Sequence, residues 1–265
     1  MTKAADTIRR ILGADTTIDA ALVLGSGLSV LGDALADKRA IPYTELEGFP
    51  GGGVSGHGRE LLVGTMGGKR LAILTGREHY YEHGNAAAMR PALETVAELG
   101  AKTLLLTNSA GSLDADIRPG DLMLISDHIN YAGMNPLIGE PTDRRFVNMV
   151  NAYDPALRDT AQEIATRLGI ALKQGIYLWY SGPSFETVAE IQMAIRLGAN
   201  AVGMSTAPEV ILARMLGLRV WACSSITNMG AGLSDEKISH EHTKTMAVQG
   251  AEKLKRLIPA LVEEL

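Results

Sequence analysis

The chain has 265 residues, 46% of them hydrophobic and 21% charged, enough to bury a large core within one α/β domain. A net charge of −5 with no basic run argues against a nucleic-acid surface, and Arg214 and Arg219 break the longest apolar runs well short of a membrane span. A single cysteine, Cys223, leaves no disulfide framework, and the charged N-terminus (Lys3, Asp6, Arg9, Arg10) has no apolar leader core, so a cytoplasmic setting is expected.

Residues 4–12 have the pattern of a short amphipathic helix. Residues 21–24 form an apolar strand that runs into Gly25-Ser26-Gly27-Leu28, followed by a helix to about Leu35. Residues 39–49 read as irregular and end at a glycine joint, Pro50-Gly51-Gly52-Gly53. Residues 60–66 and 69–74 flank Gly67-Gly68, a hairpin signal that puts an antiparallel component into the sheet. Residues 85–99 read as a helix kinked at Pro91. Strands follow at 103–106, ending at Thr107-Asn108-Ser109-Ala110-Gly111, and at 121–126. The loop 127–153 is long and rich in Pro, Gly and Asn, as functional or contact loops are. Residues 155–168 are a helix. An apolar strand at 176–180 stops at Ser181-Gly182-Pro183, where Ser184 reads as an N-cap with Glu186 in the first helical turn. Val188, Ile191 and Ile195 then have the spacing of a buried helix face. A strand at 201–206, a helix at 208–216, a strand at 219–225 ending in Ile226-Thr227-Asn228, and a terminal helix at 243–261 complete the chain. There is no internal repeat.

Three strands near the end are thus each followed by a polar residue: Glu186, Ser205 and Asn228. Ligands bind at the carboxyl ends of strands in open α/β sheets. A carboxylate and a carboxamide converging there suit the donor and acceptor edge of a heterocycle. The ordinary explanation for Glu186 alone is an acid at a positive helix N-terminus. Gly25-Ser26-Gly27-Leu28 follows a strand and aims backbone N–H groups and a hydroxyl at an anion, although a tight turn explains it equally well. Arg77, His79 and Tyr81 alternate, which sets a cation, an imidazole and a phenol on one face if the segment stays extended. Of the six histidines, His79 with His83 and His240 with His242 are the close pairs, and neither has the companions a zinc site wants. No Gly-x-Ser-x-Gly elbow is present. These groups together suit displacement at an anomeric carbon by phosphate, which needs an anion cradle, sugar contacts and a stabilised leaving base, but no protein nucleophile.

With these residues in view, the chain resembles the trimeric purine nucleoside phosphorylases over nearly its whole length. Gly182-Pro183-Ser184-Phe185-Glu186-Thr187, the block from Val202 to Val210, and Ile226-Thr227-Asn228 carry the resemblance, supported by the blocks from Gly76 to Glu82 and from Asp127 to Asn130. It implies an α/β fold, a single domain over residues 1–265 with a central mixed β-sheet flanked by helices. It implies a phosphate site of Ser26, Arg77, His79, Ser205 and the Ser109 N–H, with His57 closing over it. Ribose would meet Tyr81, Met204 and His240, with Phe146 supplied by a neighbouring subunit of a homotrimer. The base would lie against Tyr177 and Phe185, with Glu186 on N1–H and Asn228 at N7 and O6. Asn228, Glu186 and His79 would carry the catalysis. The resemblance implies no metal or organic cofactor, with inorganic phosphate as co-substrate, and no nucleic-acid or membrane partner.

Ser109 stands where the family usually has alanine, and the stretches 229–239 and 137–144 have their own sequence. The expected reaction is reversible phosphorolysis of inosine, guanosine and their 2′-deoxy forms, in purine salvage. A 5′-methylthioadenosine phosphorylase is the nearest rival. Such relatives have an aspartate at the Asn228 position and an apolar residue near the 5′ site. A nucleoside-binding protein without turnover is the other rival, and it would not need the phosphate set.

Overall fold

The structure, a computed structural model, describes residues 2–51, 59–235 and 239–265, with the backbone alone for residues 240–244. His57, the end of the glycine joint and part of the stretch before His240 lie outside the described residues, as do the side chains of His240 and His242.

The first strands build one side of a mixed sheet. Helix α1 (Lys3–Leu12) is capped by the Thr2 hydroxyl, which accepts from Ala5 N–H at 3.2 Å. Strand β1 (Ala20–Val23) runs parallel to β4 (Lys69–Leu74) and to β5 (Thr103–Ser112). β4 pairs with β3 (Glu60–Met66) through the expected hairpin, whose Gly67 and Gly68 both have positive φ. Strand β2 (Ala36–Pro42) pairs antiparallel with β3. β2 overlaps the stretch 39–49 that reads as irregular: it is a sheet edge, charged and exposed over Asp37-Lys38-Arg39, so it lacks the apolar alternation that marks a half-buried strand. The segment after Gly25–Leu28 is a short 3₁₀ helix, Ser29–Ala34, rather than an α-helix.

The later strands close on themselves. β5 pairs with β9 (Arg219–Met229) in parallel and with β8 (Ala201–Gly203) in antiparallel fashion. β8 pairs with β7 (Leu172–Trp179), β7 with β6 (Leu122–Asn130), and β6 returns to β9. The sheet order is β2-β3-β4-β1-β5-β8-β7-β6-β9, with the extra β5–β9 pairing closing a five-strand ring. Several of these strands extend past their sequence-based ends, because the polar residues after Leu106, Ser126 and Ser225 stay in the ladder.

Both faces of the sheet are covered. Ala21, Val23, Ala72, Leu74, Leu104 and Leu106 pack in one core with α1, α3 (Arg90–Glu98) and α6 (Ala207–Met215). The alternate residues Ala20, Leu22, Leu71, Ile73 and Leu105 pack on the other side with α4 (Pro155–Leu168) and α7 (His240–Glu263). Strands buried on both faces read as continuous apolar runs, as these do. Pro91 does not kink a helix; it occupies the first turn of α3, where its missing N–H costs nothing. The short helix α2 (Tyr80–His83) precedes it.

Helix α5 (Val188–Arg196) starts later than Ser184 predicts. Its cap is Thr187, whose Oγ1 accepts from Glu190 N–H at 3.2 Å while the Glu190 carboxylate accepts from Thr187 N–H at 2.7 Å. This is a capping box. Glu186 therefore lies outside the helix. Ile191 and Ala194 form the buried face, whereas Val188 is exposed.

Candidate active site

A cavity of about 270 Å³ opens where β1 stops short along β5. β1 pairs with β5 only as far as Leu106, and β8 joins the same edge only at Gly111. The β5 edge from Thr107 to Ala110 is left without a strand on that side among the described residues, and the Gly25–Gly27 turn packs into this gap. A Cβ on Gly25 would come 2.7 Å from Asn108 Cα, so only glycine allows the approach. Thr107 Oγ1 accepts from Gly25 N–H at 3.1 Å, and Ser109 Oγ donates to the Ser26 carbonyl at 3.2 Å. The serine hydroxyl that replaces alanine thus ties down the loop, a role the backbone-only reading of Ser109 did not include.

The anion end gathers Ser26, Arg77, His79, Ser109 and Ser205 on one wall. Arg77 is 2% exposed. Its Nη1 donates to Ser205 Oγ at 3.0 Å and its Nη2 to the Thr107 carbonyl at 2.9 Å. Its Nε lies 2.9 Å from the buried Glu209 carboxylate. That contact is an ion pair without hydrogen-bond alignment, since neither Nε nor Glu209 Oε1 has a partner of good angle. The protons left on the two terminal nitrogens remain for a ligand. His79 is not in an extended run: it caps α2, and Tyr81 lies within that helix, their rings stacked at 4.8 Å. His79 N–H donates to Glu82 Oε1 at 2.7 Å and Nδ1 lies 3.1 Å from the same oxygen. An ionised carboxylate only accepts, so Nδ1 carries a proton.

The other end is built by a bulge. β5 and β9 run in register to Ala110 opposite Ile226, and then Gly111 faces Asn228, with Thr227 as the extra residue. Such an insertion re-aims the side chains that follow. Asn228 is 8% exposed and lines the cavity. Its Oδ1 accepts from Thr227 Oγ1 at 2.9 Å, and Nδ2 donates to the Met229 carbonyl at 2.9 Å, leaving one lone pair and one amide proton. A Cβ on Gly111 would sit 3.0 Å from Nδ2, so that glycine gives the carboxamide its space. Glu186 and Phe185 line the same cavity. Burial pushes the Glu186 carboxyl above the usual range; its own backbone N–H partly offsets this, and Glu190 nearby adds to the rise. Glu190 moves the other way, held down by the Thr187 N–H and hydroxyl. The helix-end explanation thus belongs to Glu190, and Glu186 is a half-buried acid at a cavity.

Tyr81 and Met204 also line the cavity. Tyr177 does not, and Phe146, expected to serve a neighbouring subunit, is not part of this chain's own cavity lining. Tyr177 is fully buried behind Gly203, and its hydroxyl accepts from Ser205 N–H at 3.3 Å, so it supports the wall from beneath instead of lining the base pocket. Phe146 is 77% exposed, away from this cavity, with the Arg145 guanidinium 5.0 Å over its ring. Sequence reading assigned no role to Glu82, Glu209, Thr107, Asn108 or Thr227. The His-x-x-Glu spacing of a capping box marks Glu82; the others act through partners far away in the chain. Among the described residues no group of three or more His, Cys, Asp or Glu is placed to hold a metal ion, and no helix is long and apolar enough to cross a membrane.

One cavity thus gathers Ser26, Arg77, His79 and Ser205 with Glu186 and Asn228, a set that suits a phosphorylase. The sequence profile of the phosphorylase superfamily matches residues 19–263. Purine nucleoside phosphorylase 1 of Geobacillus stearothermophilus is 40% identical over 252 residues, covering 92% of this chain and 90% of that protein. The Schistosoma mansoni purine nucleoside phosphorylase, solved with inosine, superposes with a TM-score of 0.91 at 34% identity, covering 99% of this chain and 95% of that one. Its complex with adenosine superposes with the same TM-score, 0.91. The chain belongs to the phosphorylase superfamily and, within it, to the purine nucleoside phosphorylases, enzymes of the pentosyltransferase type.

Proposed function

We propose that this enzyme cleaves 6-oxopurine nucleosides, inosine and guanosine and their 2′-deoxy forms, with inorganic phosphate, releasing free base and (deoxy)ribose-1-phosphate in purine salvage. The observation that carries the specificity is the pairing of Glu186 with Asn228 across one cavity. A 6-oxopurine offers a donor at N1 and an acceptor at O6. The Glu186 carboxylate suits the first, and the free Asn228 amide proton suits the second. As the glycosidic bond breaks, the departing purine takes a proton from solvent at N7, and this N7–H donates a hydrogen bond to the remaining Asn228 Oδ1 lone pair.

Phosphate is held by Ser26, Arg77, His79, Ser205 and the Ser109 N–H, with His57 closing over it. His79, whose Nδ1 is held beside Glu82, turns its other ring nitrogen to the phosphate. The bound dianion stabilises an oxocarbenium-like sugar from below and then captures it. Tyr81, Met204 and His240 contact ribose. Charge aimed in advance at a developing charge supplies the largest share of many rate enhancements. No cofactor is required. The enzyme works in the cytoplasm as a homotrimer, in which Phe146 covers the ribose of the adjacent site.

The test is turnover of inosine, guanosine and adenosine with and without phosphate, following free base and sugar phosphate. Phosphate-dependent release of hypoxanthine and guanine, with adenosine far slower in kcat/KM, is expected. Base release without phosphate, or adenosine as the preferred substrate, would overturn the reading.

A further inference from the structure

We propose that Thr206, which does not touch the cavity, directs the hydrogen bond that Ser205 gives to phosphate, as the middle member of a donor chain from Asn108 through Thr206 to Ser205. The inference rests on the phosphate reading above. Thr206 is a fully buried, β-branched residue at φ +72° and ψ −52°, a conformation such residues rarely enter. Across it, Ala207 N–H donates to the Ser205 carbonyl at 2.8 Å. This is the strained form of the γ-turn. Backbone strain of this kind persists where the surroundings over-determine it, and such places cluster at ligand sites.

The turn fixes nearly every polar group of Ser205. Its N–H donates to the Tyr177 hydroxyl, its carbonyl accepts from Ala207, and its Oγ accepts from Arg77 Nη1. Only the direction of its hydroxyl proton remains open, and the surroundings of the two hydroxyls decide it. Asn108 Nδ2 can only donate, and its partner is Thr206 Oγ1 at 2.8 Å. Thr206 Oγ1 lies 3.1 Å from Ser205 Oγ. Either hydroxyl can donate across this contact, but Thr206 is fully buried while Ser205 lines the cavity, so the Thr206 proton is assigned to Ser205 Oγ, which then accepts twice, from Arg77 and from Thr206. The Ser205 proton is left to point into the cavity at an anion oxygen. A reversed chain would turn a lone pair toward the anion. Bonds in series with one direction also polarise one another. Asn108 Oδ1 is buried without a hydrogen-bond partner among the described residues.

The experiment measures KM for phosphate, KM for inosine and kcat in the whole enzyme carrying Thr206→Val, Thr206→Ser or Asn108→Ala. Valine keeps the shape and removes the hydroxyl. Phosphate KM should rise about 10- to 100-fold in Thr206→Val, the range for losing a hydrogen bond to a charged group, while inosine binding without phosphate stays within ~2-fold. Thr206→Ser, which keeps the hydroxyl, should hold phosphate KM within ~3-fold of wild type. If Thr206→Val does not fold, Asn108→Ala reads the same chain and should show the same selective rise. An unchanged phosphate KM in the variants lacking the chain, or both KM values rising together as for a merely structural role, overturns the proposal. Wild-type turnover that ignores phosphate overturns the parent reading, and this control is read first.

Discussion

Glu186 offers a test in which pH, not mutation, is the first perturbation. Its carboxyl titrates above the usual carboxylate range because burial removes water from the charged form. The ionised form accepts the N1–H of a 6-oxopurine. The protonated form donates, and so suits the bare N1 of adenine. Inosine turnover therefore follows the ionised fraction of Glu186, and adenosine turnover follows the protonated fraction. By mass action, the ratio of kcat/KM for inosine to that for adenosine rises about tenfold per pH unit, for as long as adenosine uses the protonated form alone. Below the raised pKa inosine supplies the change; above it the fall in adenosine does. Ionisation of phosphate acts on both substrates and cancels in the ratio.

The size of the discrimination follows from the two contacts. Each mismatched polar group left facing the base costs about 1–3 kcal/mol. Glu186 at N1 and Asn228 at O6 together give about 2–6 kcal/mol, or roughly 30- to 2 × 10⁴-fold in kcat/KM. The measurement must be kcat/KM, since discrimination between competing substrates is set by that ratio and not by binding alone. Competing the two nucleosides in one reaction, at saturating phosphate between about pH 5 and 8, reads the ratio directly. In Glu186→Gln the amide can turn either end to the base and does not titrate, so the ratio should be smaller and flat with pH. A flat ratio in the wild type, or the same slope in Glu186→Gln, would refute the role given to this carboxyl.

Further outcomes follow from the other contacts. Arg77→Ala should raise phosphate KM sharply and, by leaving the Glu209 carboxylate buried without its cation, lower stability in urea unfolding by about 3–5 kcal/mol. Adding Glu209→Ala should recover stability but not phosphate KM; if the single variant is as stable as wild type, the pair carries no such weight. Asn228→Asp sets a carboxylate where Nδ2 now donates to the Met229 carbonyl, so inosine kcat/KM should fall at least ~10²-fold and the ratio should move toward adenosine. Phe146→Ala should raise inosine KM about tenfold without changing phosphate KM, and mixing it with Glu186→Ala subunits should restore activity, because hybrid assemblies contain sites with both side chains. A fully active monomer in sedimentation would count against this sharing.

The sequence was most legible where structure is local. The Gly67-Gly68 hairpin needs two positive φ values, and α4 is bracketed by the Asp154 cap, Pro155 and Gly169, each readable in place. The strands were misread at their polar ends. Thr107–Gly111 and Ile226–Asn228 look like loops because they lack apolar character, yet they remain paired with each other, and their polarity belongs to the cavity they line. Conflicts between local pattern and fold are expected at functional sites. The Thr227 bulge leaves no trace in the hydrophobic pattern, although it decides where Asn228 points. The same holds for Arg77, whose partners Thr107, Ser205 and Glu209 come from β5 and from the start of α6. Residue types marked the chemistry, but the support beneath them is built across the sheet. Glu186 shows the difference most plainly. Its spacing from Ser184 suggests a helix cap, and only the capping box of Thr187 with Glu190 removes that explanation, leaving a half-buried acid in the lining of the cavity that also holds Asn228.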